Sequence, residues 1–183
     1  MMMDSDNYAH LKDRQKLPKI LQEMLKLEGT KETQGPANNP VIMQWAAEVG
    51  VKRMGVPYTD DSAQPWCGLA MSISCLRAGY EPPPICIRAA AWAEWGKPSA
   101  VPMVGDVLVF SRKGGGHVGL YIAEDDTHYH VLGGNQDDEV CIKRIKKKAL
   151  SNCRRSPWAF GKPWSVQVVK VTPGGIADSD SLA

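Results

Sequence analysis

What this chain lacks narrows its use before any motif is considered. No apolar run approaches the roughly 18–20 residues of a membrane span, so no membrane-spanning helix is expected. The first fifteen residues are polar with mixed charges and lack the apolar centre of a secretory signal. The expectation is therefore a product made in the cytoplasm, with any later delivery by another route. Lys and Arg (22) nearly balance Asp and Glu (20) for a net charge of +2, which gives no argument for a nucleic-acid partner. The five cysteines form no CxxC pair, which speaks against a structural zinc site. An odd count, in a chain of this length without a signal, also speaks against a disulfide framework. There is no internal repeat. No metal or cofactor is called for.

The 183 residues suffice for one domain, and 43% hydrophobic with 23% charged residues is ordinary for a globular chain. Residues 1–16 read as a flexible arm, 17–161 as the folded domain and 162–183 as a C-terminal strand and tail. Ile20, Leu21, Met24, Leu25 and Leu27 recur at helical spacing before Gly29. A loop over 30–40 precedes a second helix from Val41 to about Val49. Pro65 suits a first helical turn, so a third helix is expected there. It would carry Trp66 and Cys67 in that turn, Leu69, Ala70, Ile73 and Leu76 on its buried side, and Gly79 at its end. A shorter helix is expected over Ala89–Trp95. Residues 105–111, 117–123, 128–134 and 139–145 are short, rich in Val, Ile and Tyr, and separated by Gly- or Asp-bearing turns, as in an antiparallel meander. Helices first and sheet second predicts an α+β fold.

Cys67 has the most telling position. A first-turn thiol faces unpaired backbone N–H groups and the positive end of the helix dipole, which favour ionisation below the ordinary value of about 8.5. Cys75 lies two turns on, about 12 Å away, without that advantage. Cys86, Cys141 and Cys153 read as packing residues, and Cys67 could be one too. A nucleophilic thiol needs a base. His10 lies in the arm, while His128 and His130 alternate along one strand as surface or half-buried residues. His117 opens the most apolar strand behind "RKGGG". A strict hairpin with the four-residue connection Glu124–Thr127 sets His117 opposite Gly134 and turns Gln136 to its face. A bulge at Gly133-Gly134, or a five-residue connection, brings Asn135 round instead.

"PWCGLAMSISCLRAGY", "GDVLVF", "GGGHVGLYIAED" and "VLGGNQ" follow one another in an order that resembles the NlpC-like and CHAP (cysteine, histidine-dependent amidohydrolase/peptidase) cell-wall hydrolases. The likeness is to the phage-lysin-like group and covers roughly residues 17–160. It implies a papain-like fold, with the nucleophile at a helix N-terminus packed on an antiparallel sheet. Residue by residue it implies Cys67 as nucleophile, His117 as base and Asn135 as the polar third member, with Gln136 the neighbouring alternative. Gln64 becomes a candidate oxyanion donor, and Trp66 a candidate for the wall of a substrate groove or for the core.

The expected function is a cysteine endopeptidase or amidase of bacterial peptidoglycan, an endolysin or related lytic protein delivered by a holin, a virion or another route. A monomer is expected. The alternatives are a non-catalytic wall-binding or phage-tail structural protein of the same fold, and a cysteine amidohydrolase acting on a protein. Asp60 and Asp61 read as helix caps or as an amine site. "KRIKKK" (143–148) reads as a solvated strand end or as a contact for anionic polymers.

Overall fold

The computed structural model describes residues 6–35, 37–112, 114–158 and 161–172. Helices come first. α1 (Lys19–Leu25) buries Ile20, Leu21, Met24 and Leu25. α2 (Pro40–Val49) starts where the Asn39 side chain accepts the Val41 N–H at 2.8 Å, with Pro40 in its first turn. Its stripe Ile42, Trp45, Ala46 and Val49 is buried. A single turn, α3 (Val51–Met54), follows Gly50. α4 (Cys67–Arg77) is buried on every side from Cys67 to Cys75. Small residues permit this. A Cβ on Gly68 would lie 2.2 Å from the Ile87 carbonyl oxygen, so backbone packs directly on backbone there. The hydroxyls of Ser72 and Ser74 donate to the carbonyls of Gly68 and Ala70 and so bury no open polar group.

Six antiparallel strands then form one sheet in the order β1 (Lys97–Pro98), β6 (Leu150–Arg155), β2 (Val107–Arg112), β3 (Gly115–Glu124), β4 (His128–Gly133), β5 (Cys141–Lys146). This is the mixed helix-and-sheet class that the element order implies. α4 packs on β3 and β4 and is flanked by α1 and α2, which brings its N-terminus to the centre of the sheet. Among the described residues no helix is long and apolar enough to cross a membrane.

Several expectations need correcting. Part of the segment read as a flexible arm is packed: Asp6–Leu11 forms 3-10 turns kinked at Tyr8, and Tyr8 and Leu11 are each 1% exposed, while residues 12–16 are exposed. Residues 1–5 and 173–183 lie outside the described residues. The expected helix over 89–95 is a 3-10 helix, Ala89–Glu94. β6 was not foreseen, whereas the strand expected after residue 165 is only an isolated parallel bridge between Lys170 and Glu124.

His128 and His130 are buried rather than half-exposed. Asp125 explains it. One carboxylate oxygen accepts from Arg144 Nε (2.8 Å) and His130 Nε2 (3.0 Å), and the other from the N–H groups of Thr127 and His128. These donors hold its carboxyl well below the usual carboxylate range, although burial alone would raise it. With its Nε2 proton given to Asp125, His130 accepts the Tyr8 hydroxyl at Nδ1 (2.5 Å), tying the N-terminal segment to β4. The basic run is not an open patch. Lys143 pairs with Asp137, Arg144 with Asp125 and Lys147 with Glu124.

Candidate active site

Trp66 (φ −119°) turns the chain into α4, so Cys67 is the first helical residue. No side chain caps this terminus, which leaves its first N–H groups open to another acceptor. The N–H groups of Cys67 and Gly68, and that of Val118 from β3, act on the Cys67 sulfur and favour its ionised form. The residue after His117 therefore meets the thiol. Cys67 is 4% exposed and borders a cleft of about 650 Å³ between the 87–93 segment and the β2–β3 hairpin. The expectation of a thiol that ionises early is not met. Burial pushes the Cys67 thiol up, against the opposing pull of the three N–H groups and the Arg112 guanidinium. The resting group is a thiol, so a base must deprotonate it when it reacts. The other four cysteines are also buried and reduced.

His117 sits on β3 opposite Phe110 of β2, their ring centres 6.4 Å apart. It is 3% exposed, and burial lowers its pKa to about 4, with the Gln136 hydrogen bond opposing and the Arg112 charge adding to the fall. The imidazole is neutral at pH 7. Its tautomer follows from Gln136. The Gln136 Nε2 donates to the carbonyls of Val131 (3.1 Å) and Cys141 (2.5 Å), so the Oε1 must be the atom facing the imidazole. His117 Nε2 therefore carries the proton and donates it to Oε1 at 2.9 Å. Nδ1 is left with its lone pair, and no hydrogen bond occupies it among the described residues.

The partner of His117 is thus Gln136 rather than Asn135. The register explains the correction. A bulge does occur between β3 and β4, but at Ile122: Leu120 pairs with Leu132, and beyond the bulge Ala123 pairs with His130. Extending that register would set Asn135 opposite His117, yet β4 ends at Gly133. The chain then turns through left-handed backbone at Asn135 (φ 55°), Asp137 (55°) and Asp138 (62°), which takes Asn135 off the strand and swings Gln136 back beneath it. Gly133 makes room. A Cβ there would stand 3.3 Å from both His117 Nε2 and Gln136 Oε1.

Two other candidates change character. Trp66 is fully buried against Trp45, and its indole N–H donates to Glu32 Oε2 at 3.1 Å, so it is a core residue and no part of a groove wall. Gln64 does line the cleft, but its amide is committed to backbone. Oε1 accepts from the N–H groups of Thr59 (2.7 Å) and Asp60 (3.2 Å), and Nε2 donates to the Pro57 carbonyl (3.0 Å). Asp60 caps its own turn through Ser62 and Ala63, while Asp61 accepts from Asn39 N–H. Sequence reasoning missed the Val118 N–H and Arg112. The glycine-rich turn after Arg112 was the available signal, since it closes the hairpin that pairs Phe110 with His117. Among the described residues no cluster of His, Cys, Asp and Glu is arranged to hold a metal ion. No family model matches the chain, and no curated protein matches it.

Proposed function

We propose that the protein is a cysteine-dependent hydrolase of amide bonds, acting on bacterial peptidoglycan, with a papain-like arrangement of helix and sheet. One observation carries the reading. A buried imidazole, locked by Gln136 in the tautomer that leaves Nδ1 basic, lies one residue from the N–H that meets a helix-terminal thiol at a cleft. The ordered sequence motifs point to the wall as substrate.

In this reading Nδ1 of His117 takes the Cys67 proton as the sulfur attacks the amide carbonyl carbon. The carbonyl oxygen becomes an oxyanion, for which the Cys67 and Gly68 N–H groups at the helix terminus are the donors in this reading. The C–N bond then breaks, the leaving amine takes the proton back from Nδ1, and a thioester remains on Cys67. Water, deprotonated by the same Nδ1, attacks the thioester and restores the thiol. Gln136 stays neutral throughout and holds the ring.

Turbidity loss of a purified peptidoglycan suspension tests this, with mass spectrometry of the released fragments. Wild type should release new amine and carboxylate ends, and Cys67→Ala and His117→Ala should release none. Binding to the wall without new ends would favour a non-catalytic wall protein instead.

A further inference from the structure

The cleft beside Cys67 has a one-sided charge. Among the described residues that line it, Arg88 and Arg112 are the charged ones, and no carboxylate faces it. Much of the rest is apolar or small, including Val56, Ile87, Ala93 and Val109. Arg88 stands just before the 3-10 helix, and its side chain is exposed, with no ion pair or hydrogen bond among the described residues. Arg112 ends β2 and is close enough to act electrostatically on both Cys67 and His117. Four arginines outside the cleft are held in ion pairs, Arg53 with Glu81, Arg77 with Glu48, Arg144 with Asp125 and Arg155 with Asp106, whereas Arg88 has no such partner among the described residues. An unpaired guanidinium held at the rim of an apolar cleft, beside a second one and a nucleophile, is arranged for an anion brought by the substrate.

We propose that this cleft selects peptides carrying a free carboxylate near the scissile amide over the same peptides with that carboxylate amidated, and that Arg88 is the specificity-determining residue. The proposal rests on the hydrolase reading for what lies at Cys67, but the binding does not require turnover. In wall chemistry it corresponds to a stem peptide whose γ-linked glutamyl residue keeps its α-carboxylate rather than bearing a carboxamide. The guanidinium forms charge-assisted hydrogen bonds with the anion, and the carboxamide twin loses that charge. Because Arg88 is exposed, the preference should weaken as salt screens it.

Calorimetry on Cys67→Ala protein tests this with two probes, N-acetyl-L-alanyl-γ-D-glutamyl-L-lysinamide and its isoglutaminyl twin. The carboxylate form should bind about tenfold tighter or more at low salt. Arg88→Gln should bring the two to within about threefold while leaving the melting curve in place, since the exposed side chain makes no hydrogen bond or ion pair among the described residues. Equal affinity for both probes, no binding of either, or a preference that survives Arg88→Gln overturns the proposal. A protein that prefers the carboxylate yet leaves peptidoglycan intact as wild type would refute the hydrolase reading and keep this one.

Discussion

Replacing Gln136 tests the site at its tightest point. The side chain is 2% exposed and makes three hydrogen bonds, one to His117 Nε2 and two to the carbonyls of Val131 and Cys141. Gln136→Ala removes all three and leaves the buried His117 Nε2–H without its partner. At roughly 1–3 kcal/mol for an unsatisfied group, with the two carbonyl bonds lost as well and water entering the space to soften this, the loss should be about 3 kcal/mol. Chemical denaturation measures that directly. The chemical effect is separate. Without Oε1 the proton of His117 is no longer fixed on Nε2, so turnover should fall by about 10–10³-fold, less than when His117 is lost. Nitrogen NMR of the ring reads this without any substrate: wild type should show a single Nε2–H tautomer, and the variant a mixture. Asn135→Ala should cost only about 1–2 kcal/mol for left-handed backbone and leave the tautomer unchanged. A variant at Asn135 that scrambles the tautomer, beside a Gln136→Ala protein that keeps it, would refute the argument.

Burial of Cys67 leads us to expect slow iodoacetamide labelling at pH 6–7, accelerating as pH rises past the ordinary thiol value; a plateau already reached by pH 6 would show a thiolate at rest. His117 contributes to pH-dependent stability. Its native pKa, about 4, lies below the ordinary 6.5, so the unfolded chain binds a proton that the native site refuses. That contribution is complete above pH 6.5 and is lost as pH falls to about 4, up to about 3 kcal/mol at roughly 1.4 kcal/mol per pH unit. Unfolding free energies of His117→Gln should therefore fall less steeply over this window, and an unchanged slope would contradict the assignment. Gly134→Ala should destabilise by about 1–3 kcal/mol in a thermal melt, because a Cβ there would lie 2.6 Å from Ala70 Cβ and 2.8 Å from the Trp66 ring; an unshifted melt would show that α4 yields.

The parts of the site that local rules govern were legible in the sequence. Pro65 and the spacing of Leu69, Ala70 and Ile73 placed the start of α4 within a residue or two, and with it Cys67. Val, Ile and Tyr content marked β2 to β5. Long-range pairing was not legible. "LSNCRR" carries no strand signal of its own, and its order as β6 comes from the open edge of β2. His130 read as a surface or half-buried residue, and Tyr8 fell in the segment read as an arm, because both are held by long-range bonds, Tyr8 to His130 and His130 to Asp125 in the hairpin turn. The third member of the site failed for a related reason. Pleat parity sorts Asn135 from Gln136 only while the strand continues, and the chain leaves the strand two residues too early.

The most direct measurement is the intact mass of the protein, acid-quenched during digestion of purified muropeptides. A covalent adduct equal to the acyl half of the substrate should appear on the peptide containing Cys67 and decay on chase. Cys67→Ala protein should carry none and release no product. Product formation without any adduct at Cys67, or by the Cys67→Ala protein, would contradict the mechanism proposed for this site.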